Sequence, residues 1–367
     1  LVEIVLHLYF QKQMSKMYIN GIGAISAQKT FDALFLEHAV LDNTSTVFPI
    51  IAPIYKDYIN PTASRRMAKG VKNGIVASAI ALKEAKNPDL DAIITGTGMG
   101  CIEDSDKFLK AILDNKEQFL TPTSFIQSTH NTVGAQIALG LQCKSYNFTY
   151  VNGAVSFESA LLDAKMYFDS DNAKAVLVGG IDEMNEYTAI LFKIAGFIKK
   201  EGEAPFDSKN TCTKGTIYGE GATFFALQDT KTSSTYAEVL GIEIFNTMNL
   251  ENLEQKTKEF LSSINLQISD IDAIILGYNG DIETDIYYKT ITENNFNEIP
   301  QIYYKHLCGE YNTASAFGLW IGSKILKLQQ IPEIIRYNTK QKSVIKKILL
   351  YNQYKGIDHS FIVLSAC

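Results

Sequence analysis

Ala92-Ile93-Ile94-Thr95-Gly96-Thr97-Gly98-Met99-Gly100 is a short apolar run that breaks into alternating glycines. Such a run, bounded by glycine, reads as a buried strand turning sharply into a loop. Similar runs recur at Tyr18–Ile22, Ala175–Val178, Ala222–Leu227, Ala273–Leu276, Ile348–Tyr351 and Phe361–Leu364, and Gly179-Gly180 and Gly277 close two of them as Gly96 closes the first. Helix-period segments lie between. Met67–Ala85 places Met67, Val71, Ile75, Ala79 and Leu82 on one face, and Ser156–Phe168 does the same with Phe157, Ala160, Leu161, Ala164 and Phe168. Thr313–Leu328 opens on small residues. Strands alternating with helices predict an α/β protein.

The chain has 367 residues, of which 46% are hydrophobic and 20% charged, enough apolar material for a large core in two domain-sized units or one large fold. A net charge of -6, a pI near 5.5 and no basic tract argue against nucleic acid as the main partner. No apolar run approaches the ~20 residues that cross a bilayer, so a soluble protein is expected. Five Cys without a C-x-x-C pair suit free thiols in a reducing cytoplasm.

Leu8-Tyr9-Phe10-Gln11 reads as the remnant of a protease-cleavable tag, with Met14 or Met17 as natural starts, so residues 1–13 are set aside. The polar stretch Asp229–Thr235 is the best boundary, with a similar plan of strands and helices on each side. The expected organisation is an N-terminal half over 14–230 and a C-terminal half over 236–367, pseudo-duplicates with a five-stranded layer each.

Several stretches, in order, resemble the β-ketoacyl-acyl-carrier-protein synthases of the thiolase superfamily. Gly96–Gly100 is similar to the family's G-T-G-x-G turn, and Thr121-Pro122 through Asn131-Thr132-Val133-Gly134-Ala135 to the segment before its nucleophile. Ala204-Pro205-Phe206-Asp207 and Gly219-Glu220-Gly221-Ala222 resemble R-P-F-D and G-E-G-A. Lys305 with Gly309 fits K-x-x-x-G-H, and Lys355-Gly356-Ile357-Asp358-His359 falls where G-F-G-G-T-N belongs. The resemblance spans Tyr18 to Leu364 and implies a thiolase fold in α-β-α-β-α layers, with no cofactor and no metal.

That family's chemistry needs a Cys at a helix N-terminus, activated by the dipole, and two His that bind the malonyl thioester carbonyl. Here the resemblance places Ala154 at the Cys position, in the register set by Ala160-Leu161-Leu162-Asp163-Ala164. A methyl group cannot attack a thioester. Ser156 is nearby and reads as a helix N-cap. Gly280 anchors the first His motif and leaves Asn279 in the His position, where an amide can donate a hydrogen bond but cannot shuttle a proton. Asp281, Glu283 and Asp285 beside it read as a solvated loop rather than a hard-metal site. Glu310 replaces the second His while Lys305 is retained, either as a base with a tuned pKa or as a structural ion pair. Among the remaining candidates, His359 is the one nearest the aligned active-site loops. Cys101 and Cys308 read as inert buried thiols.

The losses resemble the chain-length factor, the subunit without a nucleophile that pairs with an active ketosynthase in type II polyketide and aryl-polyene systems. The resemblance implies a heterodimer through Asn147–Val151 and Ser156–Phe168, with acyl carrier protein met through the complex. It also implies acyl-tunnel walls at Phe125, Phe148, Tyr150 and Phe157. The β-prone run Asn147-Phe148-Thr149-Tyr150-Val151 would be an aggregation liability unless paired. The alternatives are an acyltransferase or malonyl-carrier-protein decarboxylase using Glu310, Lys305 and His359, an engineered Cys-to-Ala variant of an active synthase, and a scaffold that only stabilises its partner.

Overall fold

The computed structural model describes residues 15–31, 35–42, 44–170, 172–200, 202–203 and 212–367. Residues 1–13 and the Ala204-Pro205-Phe206-Asp207 motif lie outside the described residues. The strands are β1 Tyr18–Ile25, β2 Val47–Phe48, β3 Ala92–Gly96, β4 Tyr146–Tyr150, β5 Ala175–Asp182, β6 Tyr218–Gly219, β7 Gly221–Gln228, β8 Ala237–Asn246, β9 Ala273–Leu276, β10 Gln301–Tyr303, β11 Lys347–Tyr354 and β12 Asp358–Ser365. The principal helices are α1 Lys69–Glu84, α2 Ile102–Asp114, α3 Pro122–Ser128, α4 Thr132–Leu141, α5 Ser156–Asp169, α6 Glu186–Ile194, α7 Leu253–Ser263, α8 Ile286–Asn295 and α9 Ser315–Leu328. No helix among the described residues is long and apolar enough to cross a membrane.

Ten strands hydrogen-bond in the order β10-β9-β11-β12-β8-β1-β7-β5-β3-β4. The order contains one plan twice. β7 runs antiparallel to β1 and β5, and β3 runs parallel to β5 and β4. Likewise β12 runs antiparallel to β8 and β11, and β9 runs parallel to β11 and β10. The two groups of five join only where Tyr18 and Ile19 of β1 pair with Glu238 and Ala237 of β8. This is the pseudo-duplication expected from the chain's repeating plan.

Side-chain alternation then builds the layers. Leu177 and Ile181 of β5 and Phe224 of β7 pack against α1 and α4 in one cluster. Val176, Val178 and Phe225 face the other way, into an inter-sheet core with α5 and α9. The C-terminal strands follow suit: Ile275, Leu350 and Ile362 enter that same inner core. Ile274, Leu349 and Phe361 instead pack outward against Phe260 of α7 and Ile291 of α8. The result is helix, sheet, helix, sheet, helix. Because both faces of each sheet are covered, most strands are buried end to end, which is why their sequences read as continuous apolar runs.

The two outer edges of the sheet differ. Beyond β10, Tyr337 donates its N–H to the Gln301 carbonyl at 2.8 Å and Ile302 bridges to Arg336, while the Gln301 N–H reaches Asn338 Oδ1 at 3.0 Å. That edge is covered. β4 pairs with β3 from Ala92–Tyr146 to Gly96–Tyr150, and among the described residues nothing pairs with its other side.

Candidate functional site

Three loops meet where the two halves abut. After β9, Gly280 takes a left-handed φ of 84°, and the buried Asp285 carboxylate accepts the N–H groups of Asn279 at 3.2 Å and Gly280 at 2.9 Å. Asp285 therefore shapes the loop from within. Glu283 pairs with Lys214, and Asp281 Oδ1 accepts the Glu283 N–H at 3.0 Å. The acidic trio is thus divided among separate jobs.

From the C-terminal half, Glu310 donates its N–H to the Ile217 carbonyl at 2.8 Å and accepts the Gly219 N–H on its own carbonyl at 2.9 Å. A Cβ on Gly219 would lie 2.0 Å from the Cys308 carbonyl oxygen, so glycine is needed for this approach. The backbone clamp aims the Glu310 side chain inward. Its Oε2 receives Lys305 Nζ at 2.7 Å and Asn279 Nδ2 at 2.8 Å, with the Lys305 and Glu310 side chains 1% and 2% exposed. An ammonium and an amide together satisfy one buried carboxylate oxygen. Both bonds fall on the same oxygen, so Oε2 is fully engaged inside the protein. A cavity of about 580 Å³ lies beside Asn279, walled by Phe197, Thr216, Tyr218, Tyr287 and Tyr354.

Ala154 sits on a single turn, Gly153–Val155, leading into α5, and is 3% exposed. The glycine turn after β3 packs against this start: a Cβ on Gly96 would lie 2.4 Å from the Ser156 carbonyl oxygen. Ser156 does not cap α5; Val155 holds that position without a side-chain bond. The Ser156 hydroxyl accepts the Asn152 N–H at 2.8 Å and faces the carbonyls of Gly153 at 2.7 Å and Thr97 at 3.1 Å. It ties two turns together.

His359 is fully buried on the outer face of β12, its Nδ1 3.0 Å from the Tyr351 hydroxyl and its ring against Tyr287. No hydrogen bond joins it to Lys305 or Glu310 among the described residues, and burial pushes its pKa down, so it stays neutral. Burial also pushes the Cys101 and Cys308 thiols up, which keeps them protonated and unreactive.

Two buried acids beside these turns escaped the sequence reading. Asp182, at the end of β5, accepts from the Thr97 hydroxyl and the N–H groups of Gly98 and Met99. It also accepts from the N–H and hydroxyl of Thr313, pinning the glycine turn to the C-terminal half. Glu158, one turn beyond Ala154, is fully buried, with Oε1 2.8 Å from the Ser360 hydroxyl. Burial pushes its pKa up, against Ser315, Ser360 and the Lys305 charge. A charged residue among the apolar positions of α5 was the available signal, but its partner Ser360 lies 202 residues away.

Of the expected wall residues, Phe157 is not at a surface. It is fully buried in the inter-sheet core, its ring 5.6 Å from Phe225, because the first turn of α5 faces inward. Phe125 is 53% and Phe148 45% exposed, and Tyr150 is half-buried. Tyr146, Phe148 and Tyr150 follow one another along one face of β4, the first two rings stacked at 6.1 Å and the last two tilted at 4.9 Å.

Residues 49–188 match the family model for the β-ketoacyl synthase N-terminal domain. Over 96% of its length the chain superposes on the whole of a β-ketoacyl synthase from Burkholderia phymatum STM815, with TM-score 0.80 and 15% identity. The fold is that of the β-ketoacyl synthases. The same ketosynthase fold aligns with the ishigamide ketosynthase/chain length factor at TM-score 0.76 and 16% identity, over 97% of this chain and all of that one. It also aligns with a ketosynthase in complex with its chain length factor from Xenorhabdus doucetiae, at TM-score 0.72 and 13% identity, over 96% of this chain and 98% of that one. No curated protein sequence matches the chain. In this ketosynthase fold the side chains that converge at the junction of the halves are an amide, a carboxylate and an ammonium.

Proposed function

We propose that this chain is the non-catalytic, chain-length-factor-type subunit of a ketosynthase heterodimer acting in the cytoplasm on acyl groups held by a carrier protein. The observation that carries the proposal is the buried Lys305–Glu310–Asn279 network, standing where decarboxylation would require two imidazoles, while Ala154 offers a methyl group at the nucleophile position. The side of β4 left unpaired among the described residues, with its row of aromatics, supports pairing with a homologous active subunit. The halves would divide near 230–236.

Phe125, Phe148 and Tyr150 would limit the length of the partner's growing acyl chain from this side. Phe157, held in the core, drops out of that set. The locked Glu310 disfavours a decarboxylase reading. The test is co-expression with the co-encoded ketosynthase, co-purification, and mass analysis of the products. Phe148→Ala and Tyr150→Ala should lengthen the acyl product while leaving the complex intact. Unaltered product length in an intact complex would leave only the scaffold role, and failure to co-purify would remove both.

A further inference from the structure

The cavity beside Asn279 is lined by neither Ala154 nor Glu310, so it is a space of its own next to those two positions. At about 580 Å³ it has the size of a small-molecule site. Its aromatic side chains come from four places in the chain: Phe197 after α6, Tyr218 of β6, Tyr287 of α8 and Tyr354 at the end of β11. The Tyr218 and Tyr354 hydroxyls lie 3.0 Å apart and fix each other. Phe192 braces the wall from behind, its ring edge-on to Phe197 at 5.6 Å and to Tyr218 at 5.0 Å.

The rim carries charge of both signs. Lys214 and Glu283 pair with each other. Asp281 has no ion pair among the described residues, and its Oδ1 accepts the Glu283 N–H at 3.0 Å. Aromatic faces beside a carboxylate without a counter-ion attract an organic cation. The chain already holds one there. Lys355, in the turn between β11 and β12, is exposed, and an exposed lysine ordinarily keeps its head group in water. Its Nζ instead lies over rings, 2.9 Å from the Phe197 centroid and 5.2 Å from that of Tyr354, and makes no ion pair among the described residues. Burial pushes its pKa down, offset in part by the charges of Asp281 and Glu310.

We propose that this cavity binds a small organic ammonium ion and that Lys355 is its tethered internal occupant. The ligand's ammonium takes the place of Lys355 Nζ over Phe197 and Tyr354, near Asp281, while the lysine swings out to water. The exchange is non-covalent. Breaking an exposed cation–π contact to make room costs the ligand roughly 2- to 5-fold in affinity.

The probe is tetramethylammonium chloride, titrated into the intact chain and followed by the broadening of its proton NMR signal. Sodium chloride at equal ionic strength is the control. Lys355→Asn suits the left-handed φ of 54° at that turn, and it should bind the probe saturably and about 2- to 5-fold tighter than wild type. In that background Phe197→Leu should weaken binding by about 5-fold or more. Asp281→Asn keeps an acceptor for the Glu283 N–H and should also weaken it. No saturable binding by Lys355→Asn, equal affinity in Lys355→Asn and wild type, or an affinity unchanged by either further substitution overturns the proposal. Should Phe197→Leu fail to fold, Asp281→Asn decides. No partner or carrier protein is present, so a negative result leaves the pairing proposal untouched.

Discussion

Replacing Lys305 with Met would test whether the network around Glu310 is structural. The substitution leaves a carboxylate in a 2%-exposed side chain, with only the Asn279 amide at 2.8 Å to hold it. Removing one partner of a buried pair costs about 3–5 kcal/mol, and the surviving Asn279 bond places this case toward the lower end. An unfolding entropy of roughly 2.1 cal/mol/K per residue converts ~3 kcal/mol into a fall of about 4 °C in Tm. The double variant Lys305→Met/Glu310→Gln removes both charges and keeps an acceptor for Asn279, so most of the loss should return. Calorimetry and denaturant titration of the wild type, both single variants and the double variant complete the cycle. A Lys305→Met protein within 1 kcal/mol of wild type, or a double variant as unstable as the two singles combined, would refute the reasoning.

Three further outcomes are expected. Ala154→Cys supplies a thiol but no imidazole, so it should at most accept an acyl group, with no carbon dioxide released from labelled malonyl carrier protein; measurable release would show that Asn279 and Glu310 suffice. Phe148→Lys puts a charge in the middle of the open edge and should weaken partner binding by about 2 kcal/mol, some 30-fold; calorimetric titration with the ketosynthase reads this directly, and undiminished affinity would exclude β4 from the interface. Burial pushes the Glu158 carboxyl above its ordinary 4.5, so its stabilising contribution is full below its unfolded pKa and is lost as pH rises through the folded value. Wild type should therefore lose stability relative to Glu158→Gln as the pH is raised above 4.5, and equal shifts of the denaturant midpoint in both proteins would contradict this.

Buried strands were legible because covering a sheet on both faces demands apolar runs, and glycine marks their ends. β8 was not legible: its AEVLGIEIFN alternates buried and half-buried positions and lacks the continuous run. β10 has three residues and lies too close to the length of a turn. At the site, motif spacing offered Ala154, Asn279, Lys305 and Glu310 as candidates. That Asn279, Lys305 and Glu310 meet could not be read, because the clamp on Glu310 comes from Ile217 and Gly219, some 90 residues away in sequence. The same distance problem hid Glu183, which accepts the Gly70 N–H of a helix that begins 114 positions earlier, at Lys69. Phe157 illustrates the opposite failure. Size and proximity to a motif suggested a wall, and only helix orientation shows it to be core.

The unequal margins of the sheet limit what the chain can build. With Arg336, Tyr337 and Asn338 closing the β10 side, the described residues leave one end alone open to strand addition. Growth into a filament needs two sticky ends per molecule; a molecule with one is used up by a single joining event. Oversupply of this polypeptide should therefore yield closed pairs, not fibres.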